Sequence, residues 1–200
     1  GTGITGRAEG LDGCPRIYVH SAPGGAPDPS VLCDDVGGGI AATRHLIAQG
    51  YEDIHCIAGL DDFGPSGKRG RGWQQAMSEA GLTTDGRLHR VSFERLGAEN
   101  ALRPLLAKPG RPRALFATTD EQARAARRAA AEARLTVPKD IAIVGFDGIR
   151  EALNGSTRLT TFALPLAELA RRAFEVLDGW NAADNPSHVI AGALQAGETS

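Results

Sequence analysis

Short apolar runs alternate with segments of helical periodicity along nearly the whole chain, and this alternation limits the fold more than any other feature. Residues 16–20 and 31–33 have strand character. A helix pattern follows in which Val36, Ile40, Thr43 and Ile47 recur at steps of three and four, closed by Gly50. The spacing then predicts strands over 54–58, 89–93, 114–117, 141–145 and 159–162, with a last short strand over 189–191. Helices are expected over 66–80, 98–107 and 165–177, and after 118–120, where Thr118, Thr119 and Asp120 form a cap. Pro104 predicts a kink or a late start in one of these helices. Strand, helix, strand, repeated, means parallel sheets with helices on both faces, an α/β fold.

In such sheets ligands bind beyond the carboxyl ends of the strands. The residues to inspect are therefore His20, Asp34, the stretch 59–66, Phe93, Thr118, Thr119, Asp120, Phe146 and Asp147. The second strand runs into VLCDDVGGGIAATRHL, where Gly37, Gly39 and Ala42 fit G-x-G-x-x-A and the acidic pair Asp61 and Asp62 follows the next strand. Taken literally, this is the turn of a dinucleotide-binding unit. A genuine site of that kind lies in the first strand–helix unit of an intact domain, whereas here two extended segments and a PGGAPDP turn come first.

Other function classes find little support. With 22 basic and 24 acidic residues the chain lacks the basic excess of a dedicated nucleic-acid surface. Arg124, Arg127, Arg128 and Arg134 fall on the polar side of an alanine stripe at 123, 126, 130 and 133 and are expected to be solvated. No apolar run is long enough for a membrane span. Cys14, Cys33 and Cys56 are odd in number and far apart, which suits small buried thiols rather than a metal site. The chain has no G-x-S-x-G, no H-E-x-x-H and no phosphate-loop motif, and its histidines 20, 45, 55, 89 and 188 have no evident nucleophile partner.

The strand tips offer binding chemistry instead. Asp147 ends the apolar strand IAIVG, where a carboxylate accepts hydrogen bonds from ligand hydroxyls or caps a turn. Arg69 shares the Trp73 face of its helix near its start, so its guanidinium either forks onto a diol or carboxylate or lies on the surface with Lys68 and Arg71. Asp120 faces a cleft or caps its helix. Phe93 and Phe63 either stack on a sugar or base or belong to the core.

Four stretches in order resemble the effector-binding region of the LacI/GalR family of bacterial transcription regulators. They are VLCDDVGGGIAATRHLIAQGYEDIHCIAG, KRGRGWQQAMSEAGL, ALFATTDEQARAARRAAAEARLTVPKDIAIVGFDG and RLTTFALPLAELARRAFEVL. The resemblance covers nearly all of the chain. It implies a two-lobed, periplasmic-binding-protein-like α/β fold: 1–52 and 162–186 in an incomplete first lobe, 53–161 in the second, and 187–200 as a strand and tail. It further implies that the helix-turn-helix, hinge helix and opening strands precede the opening GTGITGRAEG in a longer protein. By position Arg69 and Asp147 match the family's main effector contacts, and Asp120 matches its following Asp. Thr119 stands where Asn is frequent, His20 where several sugar-responsive members have Asp, and Phe93 at a stacking position. The closing LQAGETS departs from the family's usual end. The implied function is a cytoplasmic, homodimeric sensor that binds a sugar or related polar metabolite, without cofactor or metal, and controls operator DNA through the preceding head. The alternative is a periplasmic-type solute receptor of a transporter; an enzyme has no catalytic constellation to carry it.

Overall fold

The computed structural model describes residues 15–21, 28–155, 157–179 and 186–200. Cys14, the opening ten residues and most of the PGGAPDP turn lie outside the described residues. In chain order the first elements are β1 (Tyr18–His20), β2 (Ser30–Cys33), α1 (Asp35–Ala48), β3 (Ile54–Ala58), α2 (Gly64–Glu79), β4 (Leu88–Arg90), α3 (Arg95–Ala107) and β5 (Ala114–Ala117). Then come α4 (Asp120–Glu132), β6 (Ala142–Asp147), α5 (Arg150–Leu153), β7 (Thr160–Ala163), α6 (Leu166–Asp178), β8 (Ser187–Ile190) and β9 (Ala193–Gln195).

The chain divides into two compact units, Gly1–Asp34 with Leu164–Gly192 and Asp35–Ala163 with Ala193–Ser200. In the first unit β1, β2 and β8 form a parallel sheet in that order, and α6 packs on β1 and β2 through a face that buries Leu169 and Ala173. The second unit holds a six-stranded sheet in the order β4-β3-β5-β6-β7-β9. Its strands are parallel except β9, which runs antiparallel to β7. The strand β5 is buried along its whole length and β6 along all but Asp147, which is why ALFA and AIVGF are unbroken apolar runs rather than alternating ones.

On one side of this sheet α3 and α4 supply Leu102, Leu105, Leu106, Ala123, Ala126 and Ala130 to the core. Pro104 neither delays nor breaks α3, which starts earlier than the pattern suggests. Of the α4 arginines Arg128 is exposed, as expected, while Arg124 and Arg127 are half-buried. Arg128 lies 3.5 Å from the buried Glu99 of α3, and Arg127 donates to the Thr157 carbonyl at 3.1 Å.

The buried face of α1 shares only Thr43 with the expected stripe. Gly38, Gly39, Ala42, Thr43 and Leu46 are buried, while Val36, Ile40 and Ile47 are half-buried. The reason is close backbone approach to α2. A Cβ on Gly39 would lie 2.2 Å from the carbonyl oxygen of Arg69, and one on Gly72 would lie 2.2 Å from that of Val36. On the sheet side Gly38 sits against the rings of Phe146 and Phe162. The small residues of VGGGIAA are thus packing residues, used on two faces of the helix. This also places α1 in the second compact unit, whereas the expected lobes put residues up to 52 in the first.

Candidate functional site

The order β4-β3-β5-β6 makes the chain diverge at β3 and β5, which run side by side and continue to opposite edges. Crevices at such switch points receive ligands. The tips of β3 and β5 are joined by one hydroxyl: Ser66 Oγ accepts from Gly59 N–H at 2.8 Å and lies 2.7 Å from Thr118 Oγ1. Thr118 Oγ1 passes its own hydrogen to Gln122 Oε1 at 3.0 Å.

Arg69 lies one turn along α2 from Ser66 and is 2% exposed. Its Nε donates to Asp35 Oδ1 at 2.8 Å, and its Nη1 donates both to the Thr118 carbonyl and to Asp147 Oδ1 at 2.7 Å. The guanidinium carbon stands 3.8 Å over the Phe146 ring. A surface position for Arg69 is therefore excluded. Burial of this cation is tolerated because two carboxylates and an aromatic face surround it; charge-assisted hydrogen bonds contribute about 1.5–3 kcal/mol each. Nη2 is buried with no hydrogen-bond partner among the described residues, and so is Asp35 Oδ2.

Asp147 reaches Arg69 from the tip of β6 with φ +117°, a region that side chains other than glycine seldom occupy. Such strain costs about 1–3 kcal/mol and persists where surrounding contacts over-determine it. Here the contacts come from Asp120. Its Oδ2 accepts from Ile149 N–H at 2.9 Å, and its Oδ1 accepts from Thr161 Oγ1 at 2.6 Å. Burial pushes the Asp120 carboxyl up to about 6, against the opposing pull of the Thr161 and Ile149 hydrogen bonds; the Asp147 charge pushes it further. Asp120 is fully buried, with both oxygens engaged inside the protein, so it acts as a latch on the 147–149 turn rather than as a ligand contact.

The other expected residues divide. Thr119 is the N-cap of α4, accepting from Gln122 N–H at 3.2 Å, and is half-buried. Phe93 lays its ring across Gly59, where a Cβ would meet it at 2.2 Å. Phe63 is 86% exposed at the start of α2, so it does not belong to the core. His20 belongs to the first unit, at the tip of β1, half-buried and with φ +70°. Thus Arg69 and Asp147 touch, Asp120 secures Asp147, Thr119 and Phe93 follow the tips of β5 and β4 on either side of β3, and Phe63 is in solvent.

Ser66 falls within the stretch 59–66 that the sequence marks, whereas Asp35 looks in sequence like an ordinary helix cap and nothing in the sequence points to Arg90. Arg90, at the end of β4, donates to the carbonyls of Gly59 and Asp61 at 3.0 Å and pairs with Asp62, so it anchors the loop after β3. Asp61 and Asp62 are thereby exposed loop residues, not a ribose-binding acid. Among the described residues no cluster of three or more His, Cys, Asp or Glu is placed to hold a metal ion.

A two-unit α/β chain with a buried arginine–carboxylate cluster at a switch point has the makings of a small-molecule receptor. Comparison with known proteins gives the family. Residues 43–200 match the periplasmic binding protein-like domain. The ribose operon repressor of Escherichia coli (strain K12) is 37% identical over 164 residues, 82% of this chain and 50% of the repressor. The crystal structure of a LacI family transcriptional regulator from Mycobacterium smegmatis superimposes with a TM-score of 0.84 at 29% identity, covering 95% of this chain and 72% of that one. A transcriptional regulator CelR–cellobiose complex gives a TM-score of 0.80 at 27% identity, covering 92% and 58%. This chain belongs to the periplasmic binding protein-like domain family, in the form of the effector-binding domain of LacI/GalR regulators. It spans about half the length of the curated relatives it matches.

Proposed function

We propose that this chain is the sensor domain of a cytoplasmic, homodimeric transcription regulator, and that a sugar or related small polar metabolite controls the regulator's hold on operator DNA. The observation that carries the reading is the buried Arg69, held by Asp35, Asp147 and the Thr118 carbonyl, with one guanidinium nitrogen still without a partner among the described residues. The groups of that cluster, a guanidinium and carboxylates paired with one another, are suited to holding polar groups of a ligand. The relatives add weight, being transcription regulators, one a repressor named for the ribose operon and one captured with cellobiose. In this reading Arg69 and Asp147 are the main effector contacts, with Thr119 and Phe93 after strand tips of the same sheet. Occupancy shifts the balance between two states of the regulator only as far as the effector's affinity differs between them.

The test is a thermal-shift screen of the chain against sugars, sugar phosphates, polyols, nucleosides and NAD, followed by operator release from the whole regulator with each hit. A ligand at about 100 times its Kd adds roughly 2.7 kcal/mol. A sugar or nucleoside that stabilises the chain and releases or recruits operator carries the reading. A hit with NAD alone, or turnover of the bound sugar, defeats it. The same lobes would serve a transporter's solute receptor, and a whole protein that ignores DNA would favour that second reading.

A further inference from the structure

We propose that Asp35 is a specificity-determining residue, and that with Asp147 it restricts the Arg69 site to an uncharged, hydroxyl-bearing effector, excluding phosphorylated and carboxylated ones. This rests on the reading of the Arg69 cluster as effector-binding and adds the chemical class. An arginine in a binding cleft is ordinarily a receptor for anions, because its planar fork matches carboxylate and phosphate oxygens. Here that capacity is already taken up. Asp35 lies 2.8 Å from Nε with its side chain 1% exposed, and Asp147 lies 2.7 Å from Nη1 with its side chain 25% exposed. One positive charge thus faces two negative ones in a nearly dry setting. A third carboxyl, Asp120, stands behind the Asp147 turn.

The unpartnered atoms point the same way independently. Arg69 Nη2 offers a hydrogen and Asp35 Oδ2 offers lone pairs, both buried and both without a hydrogen-bond partner among the described residues. A hydroxyl group answers both, accepting from the guanidinium and donating to the carboxylate. A phosphate or carboxylate answers only the first, and sets its negative charge against Asp35 and Asp147. Buried polar groups left unpaired are what let a site reject a close analogue. The sign of the selection follows from Asp35, whose position at the start of α1 places its carboxylate on the Nε side of the fork.

The experiment uses inorganic phosphate as the anionic probe and the full chain as the receptor. The guanidinium 15N–1H signal of Arg69, assigned by its loss in Arg69→Met, is followed during phosphate titration of the parent, Asp35→Asn and Asp35→Asn/Asp147→Asn. The parent signal is expected to stay unmoved, and the double variant to show a saturable shift. The near-isosteric single variant is expected to move in the same direction with weaker saturation. Glu79→Gln removes one exposed negative charge elsewhere on α2 and should behave as the parent. A saturable phosphate shift at Arg69 in the parent overturns the proposal, and needs no variant to fold. So does a folded double variant that ignores phosphate, since charge neutralisation would then not be what excludes the anion. Failure of the effector reading registers separately, as an operator response that survives Arg69→Met.

Discussion

Alanine at Gly39 and alanine at Gly70 put the same methyl group on two packed helices with opposite expected results. At Gly39 the new Cβ would lie 2.2 Å from the Arg69 carbonyl oxygen and 3.0–3.1 Å from the adjoining carbon atoms. A comfortable carbon–oxygen contact needs about 3.3 Å, so α1 and α2 must part by roughly 1 Å. The obstacle is backbone and cannot rotate away. Overpacking of this kind costs about 1–3 kcal/mol, and the helical gain from replacing glycine offsets about 0.5–1 of it. The net expectation is a loss of roughly 1–2 kcal/mol. At Gly70 nothing lies within 4 Å of the added Cβ, so only the helical gain applies. The helical gain is common to both, so the two variants should differ by the overpacking cost alone, about 1–3 kcal/mol, on the order of 2–12 °C in Tm for a chain of this size. Urea denaturation with unchanged slope reads the difference directly. Gly39→Ala should also weaken effector binding, because the displaced residue is Arg69 itself. If Gly39→Ala proves as stable as Gly70→Ala, the two helices do not pack backbone to backbone, and the explanation of VGGGIAA as a packing motif fails.

Other perturbations follow from the same contacts. Ser66→Ala removes the one hydroxyl joining the β3 and β5 tips, leaving a buried N–H without its acceptor; a loss of about 1–3 kcal/mol by urea denaturation is expected, with Ser66→Thr costing less if the hydroxyl is what matters. Two pH effects oppose each other. The Asp120 carboxyl is raised from 3.8 to about 6, so it adds stability that is fully present below 3.8 and is lost as pH rises through about 6; Asp120→Asn should remove that gain on acidification. The His89 imidazole is lowered from 6.5 to about 4 by burial, then by the neighbouring His55 and Lys108 charges, so stability is lost as pH falls from 6.5 towards 4. His89→Gln should flatten the acid limb, and comparing the pH profiles of the two variants with the parent checks both signs. Arg128→Ala loses a partner of the buried Glu99 and should lower stability, yet leave the effector midpoint where it was.

Much of the fold was legible because it follows from local rules. The strands over 54–58 and 114–117 end where the apolar runs end, and the Thr119 cap and the Gly50 terminus are where side-chain and φ preferences put them. What escaped was set by approach distances that no periodicity encodes. The α1 face is decided by glycines meeting carbonyls of α2, so the larger Val36, Ile40 and Ile47 are not the most buried residues. The antiparallel β9 is three residues of ALQ, which carry no strand signal apart from the partner strand β7. At the site, Arg69 and Asp147 were singled out from the residues at the strand tips, and the structure joins them at 2.7 Å. Asp35 stands at the start of a helix, where an acid is usually a cap. Its use as the second carboxylate on Arg69 depends on the close α1–α2 packing that the glycines allow.

The most direct test of the central claim is operator binding by the whole regulator, followed by fluorescence anisotropy while effector is titrated, in the parent, Arg69→Met and Glu79→Gln. Loss of charge-assisted hydrogen bonds worth about 1.5–3 kcal/mol each predicts that Arg69→Met moves the effector midpoint by at least an order of magnitude. Operator affinity without effector should stay intact, and Glu79→Gln should titrate like the parent. An Arg69→Met regulator that folds, binds operator and responds to effector at the parent midpoint would contradict the account.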